Sequence, residues 1–100
     1  MEKIRLKSFL WIRYEVFDNP SLKGADIMVY ACLMRHMNNE TRECFPSIAR
    51  IKRESRLGQS AVFQSLDKLE AAGLVYRRRG RGRVNRYILL EPICMEVRHE

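Results

Sequence analysis

The hydrophobic positions of this chain change their spacing several times, and each change marks an element. Ile4 and Leu6 alternate with Lys3, Arg5 and Lys7, and residues 9–12 are then continuously apolar. The aromatic and β-branched side chains there predict a strand over residues 8–13. Asp18-Asn19-Pro20-Ser21 is turn chemistry. Over residues 24–37 the apolar positions Ile27, Tyr30, Ala31, Met34 and Met37 recur at helical spacing, and Val29 and Leu33 widen the stripe. This predicts the central helix, stopped by Asn38-Asn39 and followed by a polar loop over residues 38–44.

Phe45-Pro46-Ser47 opens a second, short helix. Ser47 is placed to cap it, and Ile48, Ala49 and Ile51 supply its buried side; it ends near residues 55–56. A third helix begins after Leu57-Gly58, with Val62, Leu66 and Leu69 as its inner face. Gly73 is the expected left-handed C-cap. Residues 74–79 and 84–90 are rich in β-branched, aromatic and long side chains, and Gly80-Arg81-Gly82 separates them. That predicts a β-hairpin, ended by Pro92. Residues 91–100 read as a short tail, and residues 1–100 as a single domain. The fold class is α+β: an N-terminal strand, three helices and a C-terminal hairpin.

Charge sharpens this outline. The chain carries 19 Lys+Arg against 12 Asp+Glu, a net +7. Six of those cations lie on the hairpin: Arg77, Arg78, Arg79, Arg81, Arg83 and Arg86. Without them the chain is almost neutral, and no acid stands between Glu70 and Glu91. A local cationic device of this kind fits a polyanionic partner.

Other chemistry is sparse. The 3 cysteines, Cys32, Cys44 and Cys94, form no CxxC pair, and the 2 histidines are far apart, so neither a metal nor another cofactor is expected. No phosphate-binding glycine loop or catalytic triad stands out, which argues against an enzyme. The absence of a signal-peptide pattern or a long apolar run leads to the expectation of a soluble, cytoplasmic protein without membrane contact. Met28, Met34 and Met37 read as core fillers, as does the aromatic cluster Phe9, Trp11, Tyr14 and Phe17. Cys32 reads as a small buried hydrophobe, and His36 as a helix-end cation.

Two short helices joined by about three residues sit at a large angle, which leaves one face of the third helix pointing outward. Such a helix fits a major groove about 12 Å wide. The residues off its inner stripe are Gln59, Ser60, Phe63, Gln64, Asp67 and Lys68. Gln pairs with adenine, Ser serves any base, and Phe63 either touches a thymine methyl or packs on the hairpin or a partner subunit. Arg50, Lys52, Arg53 and Arg56 stand where a helix crosses the phosphate backbone.

Phe45-Pro46-Ser47, Ala49-Arg50-Ile51, Leu57-Gly58-Gln59-Ser60, Leu66-Asp67-Lys68-Leu69, Ala72-Gly73-Leu74 and the run from Val84 to Leu89 resemble the winged helix-turn-helix domains of plasmid and phage replication proteins and small mobile-element regulators. The similarity spans residues 9–90. It implies that the third helix reads the major groove and that the hairpin, or wing, grips the neighbouring minor groove or backbone. Gln59, Ser60 and Gln64 then reach base edges, and Arg79, Arg81 and Arg83 lie on the wing. Two positions depart from the pattern: Gly58 replaces the usual Ser/Thr helix cap, and Arg56 replaces the turn glycine. With Asp67 and Glu70 on the third helix, binding energy is expected to shift toward the wing.

The resulting expectation is a sequence-specific binder of double-stranded DNA that acts by occupancy in replication initiation, conjugative transfer or transcriptional regulation. Its partners are DNA, a second copy on repeated half-sites, and a larger replication or transfer enzyme; the N-terminal strand, or Ile93, Met95 and Val97 in the tail, are the candidate contacts between copies. An RNA-binding winged helix, or a module whose wing docks on an acidic protein, is the alternative.

Overall fold

A computed structural model describes residues 12–79 and 85–90. The elements run α1 (Tyr14–Phe17), α2 (Gly24–Arg35), β1 (Glu43–Cys44), α3 (Ile48–Ser55), α4 (Gln59–Ala71), β2 (Val75–Arg79) and β3 (Asn85–Leu89). The strands form one antiparallel sheet in the order β1-β3-β2. Helices α2, α3 and α4 pack on one another, and the sheet closes one side through α4 and α2. This is a winged helix-turn-helix of the α+β class.

The core is assembled from every element. Val16, Val29, Leu33, Ile51, Val62, Leu69, Tyr87 and Leu89 are fully buried, with Tyr30, Leu66 and Val75 almost so. At ~25 cal/mol per Å² of apolar surface, each buried aliphatic side chain contributes roughly 1.5–3 kcal/mol, so this cluster is the principal source of stability. The expected inner stripe of α4, Val62, Leu66 and Leu69, is buried as spaced.

A charged residue completes the packing of α2. Asp26 is 4% exposed. Its Oδ2 accepts from the backbone N–H of Lys23 at 2.8 Å, which caps α2, and its Oδ1 accepts from Ser65 Oγ of α4 at 2.7 Å. Lys68 Nζ lies 3.7 Å from Oδ2. One carboxylate therefore starts α2 and ties it to the middle of α4. At the other end, His36 caps α2 and its Nε2 stands 2.9 Å from Glu54 Oε1 on α3. Burial, the largest influence on Glu54, pushes its carboxyl up; the His36 hydrogen bond, with the charges of His36, Arg35 and Arg50, outweighs it and holds the group below its ordinary value.

Helix ends follow the local chemistry. Ser47 Oγ accepts from Arg50 N at 3.1 Å. Beyond α4, Gly73 takes φ +77°, its N–H bonds Glu70 O at 3.0 Å, and Leu74 N–H bonds Leu69 O at 3.0 Å. That paired closure is a Schellman motif, with Leu69 and Leu74 both buried beneath it.

Several expectations are corrected. The strand expected over residues 8–13 falls mostly outside the described residues, and Ile12 and Arg13 carry no strand. Helix α1 follows instead, burying Val16 and leaving Tyr14 81% and Phe17 62% exposed, so these two aromatics are not core. Phe9, Trp11 and the 91–100 tail lie outside the described residues. Met28 is 47% exposed rather than a core filler, whereas Met34 and Met37 pack against the core and Cys32 is buried. The loop over residues 38–44 holds a strand. Asn38 Oδ1 accepts from Glu40 N and Thr41 N, Asn38 N–H bonds Glu43 O, and Arg42 Nε donates to Leu89 O at 2.7 Å. The loop is thereby folded back onto β3, and β1 is the outcome. Among the described residues no helix is long and apolar enough to cross a membrane.

Candidate nucleic-acid interface

Three elements meet at one surface: α4, the turn before it, and the wing. Gln59, Ser60, Phe63, Gln64, Asp67 and Lys68 of α4 are all exposed, while Val62, Ser65, Leu66 and Leu69 face inward. The division follows from the helical period, since residues three and four apart share a face. Phe63 is 39% exposed, a large apolar group held at a polar surface. Lys68 leans back toward the buried Asp26, so part of its charge is spent within the fold.

The turn between α3 and α4 is three residues. Arg56 closes α3 at φ 63°, ψ 31°, the left-handed region that glycine favours, and its N–H bonds Lys52 O at 2.9 Å. Its side chain is exposed, as are those of Arg50 and Arg53, whereas Lys52 is half-buried. Gly58, φ −78°, precedes α4 and offers no side-chain cap. The first turn of α4 thus presents backbone N–H groups and the exposed Gln59 and Ser60 together.

The wing is less uniform than its sequence. In register, Val75 pairs with Leu89, Tyr76 with Ile88, Arg77 with Tyr87, Arg78 with Arg86, and Arg79 with Asn85. Val75, Tyr87 and Leu89 are buried on the helix-facing side of the sheet, and Arg77 shares that side. Its side chain is 7% exposed; Nη2 donates to Asp67 Oδ1 at 2.6 Å and to Glu70 Oε1 at 2.9 Å. Burial acts to lower the Arg77 pKa, but bonds to and charges of Asp67 and Glu70 prevail and raise it, so the group is permanently cationic. Arg77 was expected among the DNA contacts; its charge is instead directed into α4. Arg86 is also engaged: its guanidinium carbon lies 5.7 Å from the Phe45 ring centroid, and Nη1 is 3.8 Å from Glu43 Oε2. Arg78 is exposed directly opposite Arg86, a like-charge cross-strand pair that an anion between them would relieve. Arg79 lies at the outer end of β2, and Arg81 and Arg83 lie outside the described residues.

What the sequence did not disclose is the pairing of the α4 acids with Arg77. The signal was there in part: Asp67 and Glu70 share a face of α4, and the chain reverses at Gly73 to bring β2 back along it.

A model of the helix-turn-helix domain matches residues 21–75, more than half of the chain. The chain belongs to the helix-turn-helix domain family. The matched span contains all of α2, α3 and α4 and ends at the first residue of β2. Neither a curated protein nor a solved structure matches the chain. Helix-turn-helix domains are typically DNA-binding modules rather than enzymes, and in them the second helix of the motif enters the major groove. Here that helix is α4, whose exposed polar face is described above.

Among the described residues the thiols, Cys32 and Cys44, are buried away from this surface. Burial pushes Cys44 up to about 12, and burial also raises Cys32, so neither is a nucleophile at neutral pH.

Proposed function

We propose that this helix-turn-helix protein binds double-stranded DNA sequence-specifically to mark an origin or operator of a plasmid, phage or other mobile element. The observation that carries the reading is the exposed row Gln59, Ser60, Phe63 and Gln64 on α4, set beside a wing whose Arg78 is exposed and whose sequence continues into Arg81 and Arg83. Helix α4 lies in the major groove. Gln59 and Gln64 offer the paired donor and acceptor that adenine presents there, Ser60 serves a neighbouring base, and Phe63 packs on a thymine methyl. Arg50, Arg53 and Arg56, with Lys52 behind them, meet the phosphates on one side of the groove. Arg78, Arg79, Arg81 and Arg83 meet the backbone and minor groove on the other.

The mobile-element reading draws on segments that resemble those of plasmid and phage replication proteins, including Phe45-Pro46-Ser47 and Ala72-Gly73-Leu74. The protein acts by occupancy: it marks or blocks a site, or recruits a larger replication or transfer enzyme. One module of this kind buries roughly 600–1,000 Å², so tight binding uses two copies on repeated half-sites. The exposed Tyr14, Phe17 and Met28 supply apolar surface for a contact between copies.

Selection of duplexes from a randomised pool tests this reading. The expected product is an enriched motif, present as two half-sites, that Gln64→Ala relaxes at one base pair. No enrichment, or preferential retention of structured RNA at equal salt, would contradict it.

A further inference from the structure

The geometry points to Arg77 as a positioning residue that sets the wing against the recognition helix and makes no contact with DNA itself. This inference rests on the proposed DNA-binding function and deepens it. Arg77 is the third residue of β2 and pairs in register with the fully buried Tyr87. From there its side chain spans to α4. One nitrogen, Nη2, holds both Asp67 Oδ1 at 2.6 Å and Glu70 Oε1 at 2.9 Å, and the backbone N–H of Arg77 reaches Glu70 Oε2 at 3.4 Å. The two carboxylates stand three residues apart, about one turn of helix, so a single guanidinium grips α4 along its length. Asp67 belongs to the outward row with Gln64, and Arg78 follows Arg77 on the opposite face of the strand. The clamp therefore joins the residues proposed to read bases to the strand that carries the wing arginines.

Two consequences follow. The clamp fixes the distance between the major-groove and backbone contacts, which must match the groove spacing of one duplex. It also answers the acidic charge of α4 without using a phosphate-binding arginine. Asp67 and Glu70 are then parts of the DNA-binding architecture, although both carry the charge that DNA repels.

The experiment uses the full chain and two probes, a mixed-sequence duplex of 20 base pairs and the duplex recovered by selection with the wild-type protein. Arg77→Met is expected to leave the salt slope on the mixed duplex unchanged, because its charge never met a phosphate. A slope shallower by about 0.9 would make Arg77 a phosphate contact and overturn the assignment. Asp67→Asn alters an exposed side of the clamp and leaves the core untouched. Charge alone predicts tighter binding to both duplexes. The clamp predicts that preference for the selected duplex over the mixed one falls by roughly tenfold, about the loss of one base-pair contact. An undiminished preference in Asp67→Asn would overturn it. If the wild-type protein shows no salt-dependent binding to either duplex, the DNA reading itself fails, and the assignment with it.

Discussion

Arg56 occupies a position where a side chain costs stability. It adopts φ 63° at the turn between α3 and α4, with its side chain exposed. A non-glycine residue in the left-handed region costs roughly 1–2 kcal/mol, and such strain is retained where the side chain has other work. In this account that work is a phosphate contact. Arg56→Gly is accordingly expected to raise unfolding stability by about 1 kcal/mol in urea titrations, while duplex binding weakens. A variant both more stable and equally tight on DNA would remove Arg56 from the interface. Asp26 is the converse case, a charge whose removal the fold cannot absorb. Asp26→Ala leaves the buried Ser65 hydroxyl without its acceptor and α2 without its cap, and should cost roughly 2–4 kcal/mol in the same titration. A loss below about 1 kcal/mol would mean that the two helices are held by apolar packing alone. The importance of Asp26 was not legible in the sequence, because hydrophobic periodicity marks apolar positions and a buried carboxylate breaks the pattern. The outward row of α4 was legible, because Val62, Leu66 and Leu69 fix the helix rotation and the face opposite that stripe must meet water; Ser65, beside the stripe, is buried.

Elements were readable where local chemistry decides them. Ser47 caps α3, Gly73 closes α4, and the two wing strands follow the apolar and aromatic runs that precede and follow Gly80 and Gly82. Gly73→Ala places a Cβ at φ +77°, where no neighbouring atom obstructs it but the backbone itself does. The expected cost is about 1 kcal/mol, with the wing amides losing hydrogen-exchange protection before those of α2. Uniform loss across the molecule would show that the closure does not control the wing separately. The elements that escaped sequence reading depend on distant partners. Strand β1 is two residues long and exists because Arg42 bonds Leu89, 47 residues later, and Glu43 pairs with Ile88 of β3. Helix α1 buries Val16 rather than its aromatics, a choice set by the core it docks on and not by its own composition. On α2, Val29 and Leu33 are buried as their spacing predicts, but the helix is covered from several sides, so Asp26 is buried as well and Met28 is not.

At the scale of the molecule, the net charge of +7 is unevenly held. Arg77 is neutralised by Asp67 and Glu70, Arg86 is drawn to Glu43 and Phe45, and Lys68 leans on Asp26. The six-arginine run is therefore not one block of equivalent contacts. Arg77 and Arg86 brace the fold, whereas Arg78 is exposed and is proposed, with Arg79, Arg81 and Arg83, to meet the DNA. Among these four arginines and the cations of α3 and the turn, about five neutralise phosphates, which sets a log–log salt slope of about −4.5. The most direct test is the salt dependence of binding to a mixed-sequence duplex, followed by fluorescence anisotropy for the wild-type chain, Gln64→Ala, and Arg81→Ala combined with Arg83→Ala. The expected slope is near −4.5 for the wild type and for Gln64→Ala, and about −2.7 for the arginine double variant, which also loses the most affinity. A wild-type slope near zero, or a double variant that binds more tightly than Gln64→Ala with its slope unchanged, would contradict it.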